Sequence, residues 1–187
     1  MLAFRCLVVA TSAMTFSLCA PQVWSAEPPQ TKVRVTTISP DGSTNDVTRV
    51  LKVGQLAGTY YQGDGLGVNL ELTLKADGKF ECKWRGCLGT YGANSGEWAI
   101  RDLELKFSPK VSQGMFKDLP LDPLRVVSFQ RHYLLVQKRD WDRFKSDGPN
   151  TFVCFHQSDA RNDIEKEYYR RIEESVKAVE KRLSKPK

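Results

Sequence analysis

From residue 68 to residue 84 the chain alternates apolar and polar side chains too regularly for a helix. Val68, Leu70, Leu72 and Leu74 fall on one side, and Asn69, Glu71, Thr73 and Lys75 on the other. Phe80, Cys82 and Trp84 then continue the apolar side. Successive side chains of a strand point to opposite faces, so this period describes two antiparallel strands with one face in a core. Parity also constrains the turn between them. Leu74 and Phe80 share a face and should stand opposite each other, which leaves Ala76-Asp77-Gly78 as the loop and gives Gly78 the positive φ. Leu72 is then opposite Cys82, and Leu70 opposite Trp84.

The same test extends downstream. A turn at Arg101-Asp102 would pair Ile100 with Leu103 and Trp98 with Leu105. A turn at Arg131-His132 would pair Phe129 with Leu134 and Val127 with Val136, and would place His132 in solvent. A last short strand is expected over residues 151–155. Upstream, residues 32–38 alternate as a strand would, Ser39-Pro40-Asp41-Gly42 reads as a turn, and residues 47–53 suit a helix or a strand equally. About eight short strands from Tyr60 onward, joined by short connections, make the chain mainly β: a small antiparallel meander or a lipocalin-like barrel.

The period changes after Ser158. Ile164, Tyr168, Ile172, Val176, Val179 and Leu183 recur at steps of three or four, with Ser158 or Asp159 available as a cap and basic residues gathered at the end. This is a long amphipathic α-helix. Its apolar stripe needs a partner surface, and the aromatic-rich first half should dock more firmly than the basic end.

The N-terminus has the form of a secretory signal. Arg5 precedes an uncharged, largely apolar stretch over residues 7–20, and Val23-Trp24-Ser25-Ala26 offers small residues for cleavage after either Ser25 or Ala26. The apolar run is shorter than the roughly 20 residues that a spanning helix needs. An exported protein, periplasmic or extracellular, is therefore expected. The chain divides into a signal peptide over 1–26, a linker or extension over 27–53, an antiparallel β domain over 54–157, and a charged helix and tail over 158–187. The formal net charge of +6 falls to +5 when Arg5 leaves. That mild basicity favours an anionic envelope surface and gives no case for nucleic acid.

Gly58-Thr59-Tyr60-Tyr61, Gly63-Asp64-Gly65-Leu66-Gly67, Trp84-Arg85-Gly86-Cys87-Leu88-Gly89 and Gly96-Glu97-Trp98 resemble a group of uncharacterised exported bacterial proteins. The architecture also resembles the lipocalin and wider calycin barrels, with Gly58-x-Tyr60 in place of their Gly-x-Trp. That resemblance implies a barrel with a helix beside it and transfers no ligand.

Candidate chemistry is sparse. Gly63-Asp64-Gly65-Leu66-Gly67 is followed by a strand, so it lacks the helix N-terminus that a phosphate loop requires. Asp140-Trp141-Asp142 reads as a helix start rather than an acid–base pair. Cys82, Cys87 and Cys154 are disulfide candidates in an oxidising compartment. Together with His156 they also make a Cys3His set, although without the close pairs typical of structural zinc. No catalytic residue, metal or cofactor is expected. Among the core aromatics, Tyr60, Tyr61, Trp84 and Trp98 are candidates to line a cavity for a small apolar ligand, against the plainer expectation that they fill the core. Three functions follow: a ligand-binding or partner-binding β module, an interaction protein that uses its C-terminal helix, and, with least support, a hydrolase.

Overall fold

A computed structural model describes residues 30–38, 43–63, 67 and 69–184. The signal-like segment, the turn at residues 39–42, Asp64, Gly65, Leu66, Val68 and the last three residues lie outside the described residues. The described chain is mainly β. Its strands are β1 (Gln30–Ile38), β2 (Thr44–Lys52), β3 (Gly58–Gly63), β4 (Asn69–Leu74), β5 (Lys79–Gly86), β6 (Gly89–Arg101), β7 (Glu104–Gly114), β8 (Leu124–Phe129) and β9 (His132–Gln137). Two helices follow, α1 (Trp141–Asp147) and α2 (Arg161–Leu183).

Strands β3 to β9 form an up-and-down antiparallel meander. The β1–β2 hairpin joins it by parallel pairing of Val35–Thr37 with Val126–Ser128 of β8. Residues 47–52, ambiguous by periodicity, are therefore strand. The ladder does not close on itself, but two single bridges span its ends. Leu135 of β9 pairs with Phe155, and His156 pairs with Tyr61 of β3. The strand expected over residues 151–155 is reduced to this two-residue stitch.

The β4–β5 hairpin has the register that parity demands: Leu70 opposite Trp84, Leu72 opposite Cys82 and Leu74 opposite Phe80. Gly78 takes φ +80°, a conformation that glycine adopts without strain. Two other hairpins are displaced by two residues. The β6–β7 turn falls at Asp102-Leu103, both at positive φ, so Ile100 faces Leu105 and Trp98 faces Phe107. The β8–β9 turn falls at Gln130-Arg131, so Phe129 faces His132 and Val127 faces Leu134. A shift of two residues preserves parity, so alternation alone cannot distinguish these registers. The β5–β6 turn is at Cys87-Leu88, with a bulge at Trp84/Arg85.

Two apolar clusters form on opposite faces of the β8–β9 hairpin. Leu124, Val126 and Leu135 join the inward residues of β3–β7, including Tyr60, Leu72, Leu74, Phe80, Trp98 and Leu105. Val127, Phe129, Leu134 and Val136 face the other way, onto Phe144 of α1, Val153, Cys154, Ala160 and Ile164. Both faces of this hairpin are covered, so both alternating sets are apolar, as buried strands require.

Candidate functional site

The four aromatics expected to line a cavity do not converge. Tyr60 is buried, and its hydroxyl donates to the Leu56 carbonyl at 3.0 Å. The indole N–H of buried Trp98 donates to the Lys75 carbonyl at 3.0 Å. Trp84 is half-buried and meets Phe116 edge to face at 5.8 Å. Tyr61, one residue from Tyr60, points out of the sheet and is exposed. Tyr60 and Trp98 thus serve the packed core, with their polar atoms satisfied.

The cysteines are equally dispersed. Cys82 belongs to the inner cluster and Cys154 to the cluster beneath α2, while Cys87 is exposed at the β5–β6 turn. No disulfide joins them, and burial pushes both the Cys82 and Cys154 thiols up to about 12. Among the described residues no three His, Cys, Asp or Glu side chains gather as metal ligands. Asp140 sits at the α1 N-cap without a capping hydrogen bond, and burial raises its carboxyl above the ordinary range. Asp142 is exposed and paired with Lys145. The two carboxylates therefore have different environments.

The feature that the fold leaves unpartnered is α2. Its start is anchored in three ways. Ala160 and Ile164 are fully buried in the second cluster. His132, buried rather than solvated in a turn, puts Nδ1 3.7 Å from Asp159 Oδ2 and Nε2 3.3 Å from Asp163 Oδ2. Arg131 Nε also lies 3.3 Å from His132 Nε2, so that nitrogen either accepts from the guanidinium or donates to Asp163. Arg171 then lies against Gly148, where a Cβ would come within 2.7 Å of the guanidinium.

Beyond Arg171 every residue through 184 is exposed. Ile172, Val176, Val179 and Leu183 are 42, 50, 53 and 80% exposed. Between α2, α1 and residues 148–152 lies a groove of about 740 Å³, lined in part by Phe152, Tyr168, Ile172 and Val176. The charges of the anchored half are matched within the helix: Arg170 bonds Glu167 and Glu174, and Arg171 bonds Glu167. Among the described residues, Lys177, Lys181 and Arg182 enter no ion pair. Periodicity located the stripe. It did not reveal where support ends, because that depends on where residues 148–152 lie. No described helix is long and apolar enough to cross a membrane. The chain matches no family model, no curated protein and no solved structure.

Proposed function

We propose that this chain is a non-catalytic, exported interaction protein, in which the β sheet is a scaffold and the projecting half of α2 docks on an anionic envelope surface. The observation that carries this reading is the exposed line Ile172, Val176, Val179 and Leu183, on a half-helix where Arg182 flanks the line on one side and Glu173 and Glu180 on the other, with Lys177 and Lys181 toward the opposite face. Such a helix lies in a lipid–water interface, with its apolar side buried at the head-group level and its cations against anionic lipid. The alternative of a small apolar ligand inside the sheet has less support, because two of its four candidate residues are spent on core packing. The test is co-sedimentation with phosphatidylglycerol or phosphatidylcholine vesicles. Binding should favour phosphatidylglycerol, weaken with salt, and disappear in a Val176→Asp/Val179→Asp double variant that keeps its thermal midpoint. Undiminished binding by that variant, or no preference for the anionic lipid, would overturn the reading.

A second reading has its own observation. Tyr169, Ile172, Val176, Val179 and Leu183 are spaced alternately by three and four, and all are exposed. That is the seam of a two-stranded coiled coil, and its occupant would be α2 of a second copy. Light scattering separates the two: a dimer lost in the double variant supports the seam, and a monomer supports the lipid surface.

A further inference from the structure

The stitch between β3 and β9 creates a cleft that periodicity did not reveal. After pairing with Tyr61, the chain turns at Gln157 into the short 3-10 turn Ser158–Ala160 and then into α2. This sets Ser158 and Arg161 across from Tyr61, Glu71 and Arg85 on the outer face of β3–β5, with His156 at the junction. The cleft holds about 470 Å³, within the range of small-molecule sites. It shares no lining residue with the groove under the projecting half of α2.

Its chemistry is specific. Two guanidiniums, from Arg85 and Arg161, line one small space together with the Glu71 carboxylate. Arg85 is held loosely to Glu71 at 3.7 Å, and Arg161 is braced at 2.8 Å by Glu165. His156 is only 4% exposed. Its Nδ1 lies 3.0 Å from the Gln157 carbonyl oxygen. A carbonyl can only accept, so Nδ1 carries the proton and Nε2 is left as an acceptor. Burial, with Arg161 nearby, holds the imidazole below its ordinary range and keeps it in this neutral form. Exposed Tyr61 offers a ring face beside these groups.

We propose that this cleft binds a small hydroxylated anion, a sugar acid or sugar phosphate. The guanidiniums take the carboxylate or phosphate, His156 Nε2 and Glu71 accept from hydroxyls, and the sugar ring packs on Tyr61. The site is independent of the α2 docking surface and survives its failure.

The experiment titrates the full chain with glucuronate, glucose 6-phosphate, glucose and inorganic phosphate, following backbone and imidazole NMR signals. Glucuronate or glucose 6-phosphate should give saturable shifts at Tyr61 and His156. Glucose should bind at least about tenfold more weakly, since it lacks the charge-assisted bonds. Arg85→Gln, an exposed change that leaves the fold intact, should weaken the anion about tenfold. His156→Gln should weaken it further for ligands with free hydroxyls than for inorganic phosphate. Which anion binds more tightly distinguishes carboxylate from phosphate recognition. Absence of saturable shifts with both sugar anions, or affinity unchanged by both Arg85→Gln and His156→Gln, would overturn the proposal.

Discussion

The two halves of α2 carry the same apolar period and meet opposite fates. In the first half Ile164 is sealed among Phe144, Val153 and Cys154, and His132 lies against Asp159 and Asp163. In the second half Ile172, Val176, Val179 and Leu183 repeat the spacing into solvent. Helix propensity does not separate them. What separates them is whether the body supplies an apolar surface, and that surface ends at the α1 helix and residues 148–152. A helix of this length gains most of its stability from such packing. The docked half is therefore a structural part of the fold, and the projecting half is the surface that the proposed docking would use.

Truncation inside the docked half breaks this comparison most directly. Ile164→Ala should cost about 3 kcal/mol of unfolding free energy, as the lost transfer energy adds to a cavity that the surrounding β8, β9 and α1 side chains cannot fill. Val179→Ala should stay within about 0.5 kcal/mol. Urea denaturation of both variants measures the contrast, and equal losses would mean that the projecting half is packed in solution.

The polar anchor should rank next. His132→Leu removes the group that Asp159 and Asp163 face across β9 and leaves Asp163, itself only 25% exposed, without its nearest partner. A loss of about 2 kcal/mol is expected from breaking a hydrogen bond to a charged group. Asp159→Asn, at a carboxylate 66% exposed and 3.7 Å away, should cost much less. If the two variants unfold at the same urea concentration, His132 does not hold α2.

How much of this was legible in the sequence differs by place. The β4–β5 register followed from parity because only one face of those strands is buried and Gly78 supplies the turn. The β6–β7 and β8–β9 registers did not, because a two-residue shift keeps every side chain on its own face and neither turn carries a glycine to mark its place. The stripe of α2 was visible, but its division at Arg171 was not, since Gly148 meets Arg171 only in the folded chain. The cleft was least legible of all. Arg85, His156 and Arg161 come from separate elements and meet only because a two-residue bridge stitches β9 to β3. Tyr61 was singled out for its aromatic ring, but its place is on the outer face rather than inside the sheet.

A smaller effect sharpens the boundary between the halves. Gly148 follows α1 at φ +77°, and a Cβ there would meet the Arg171 guanidinium at 2.7 Å. Gly148→Ala should cost about 1 kcal/mol, from the left-handed backbone alone. It should also displace Arg171 and lengthen the unsupported part of the helix. Hydrogen exchange across residues 168–176 should accelerate while residues 161–165 stay protected. Unchanged protection at residues 168–171 would show that support for the helix does not depend on this contact.

The smallest effect is a pH slope that should belong to the docked side alone. His156 is buried at the entrance to α2, and burial holds its imidazole below the usual 6.5. Below pH 6.5 the unfolded chain takes up a proton at this position that the folded chain resists. Stability contributed by the neutral ring is therefore complete above pH 6.5, declines as pH falls through that value, and stops declining once the folded ring is also protonated. His156→Gln should flatten this part of the stability–pH curve. Deleting residues 172–187 should leave it unchanged, because the exposed residues from 172 to 184 include no histidine. Urea midpoints taken from pH 7.5 down to pH 5 in all three proteins provide the measurement. A slope lost on deletion but kept in His156→Gln would place the titrating interaction in the projecting half, and would mean that this half packs against the body after all.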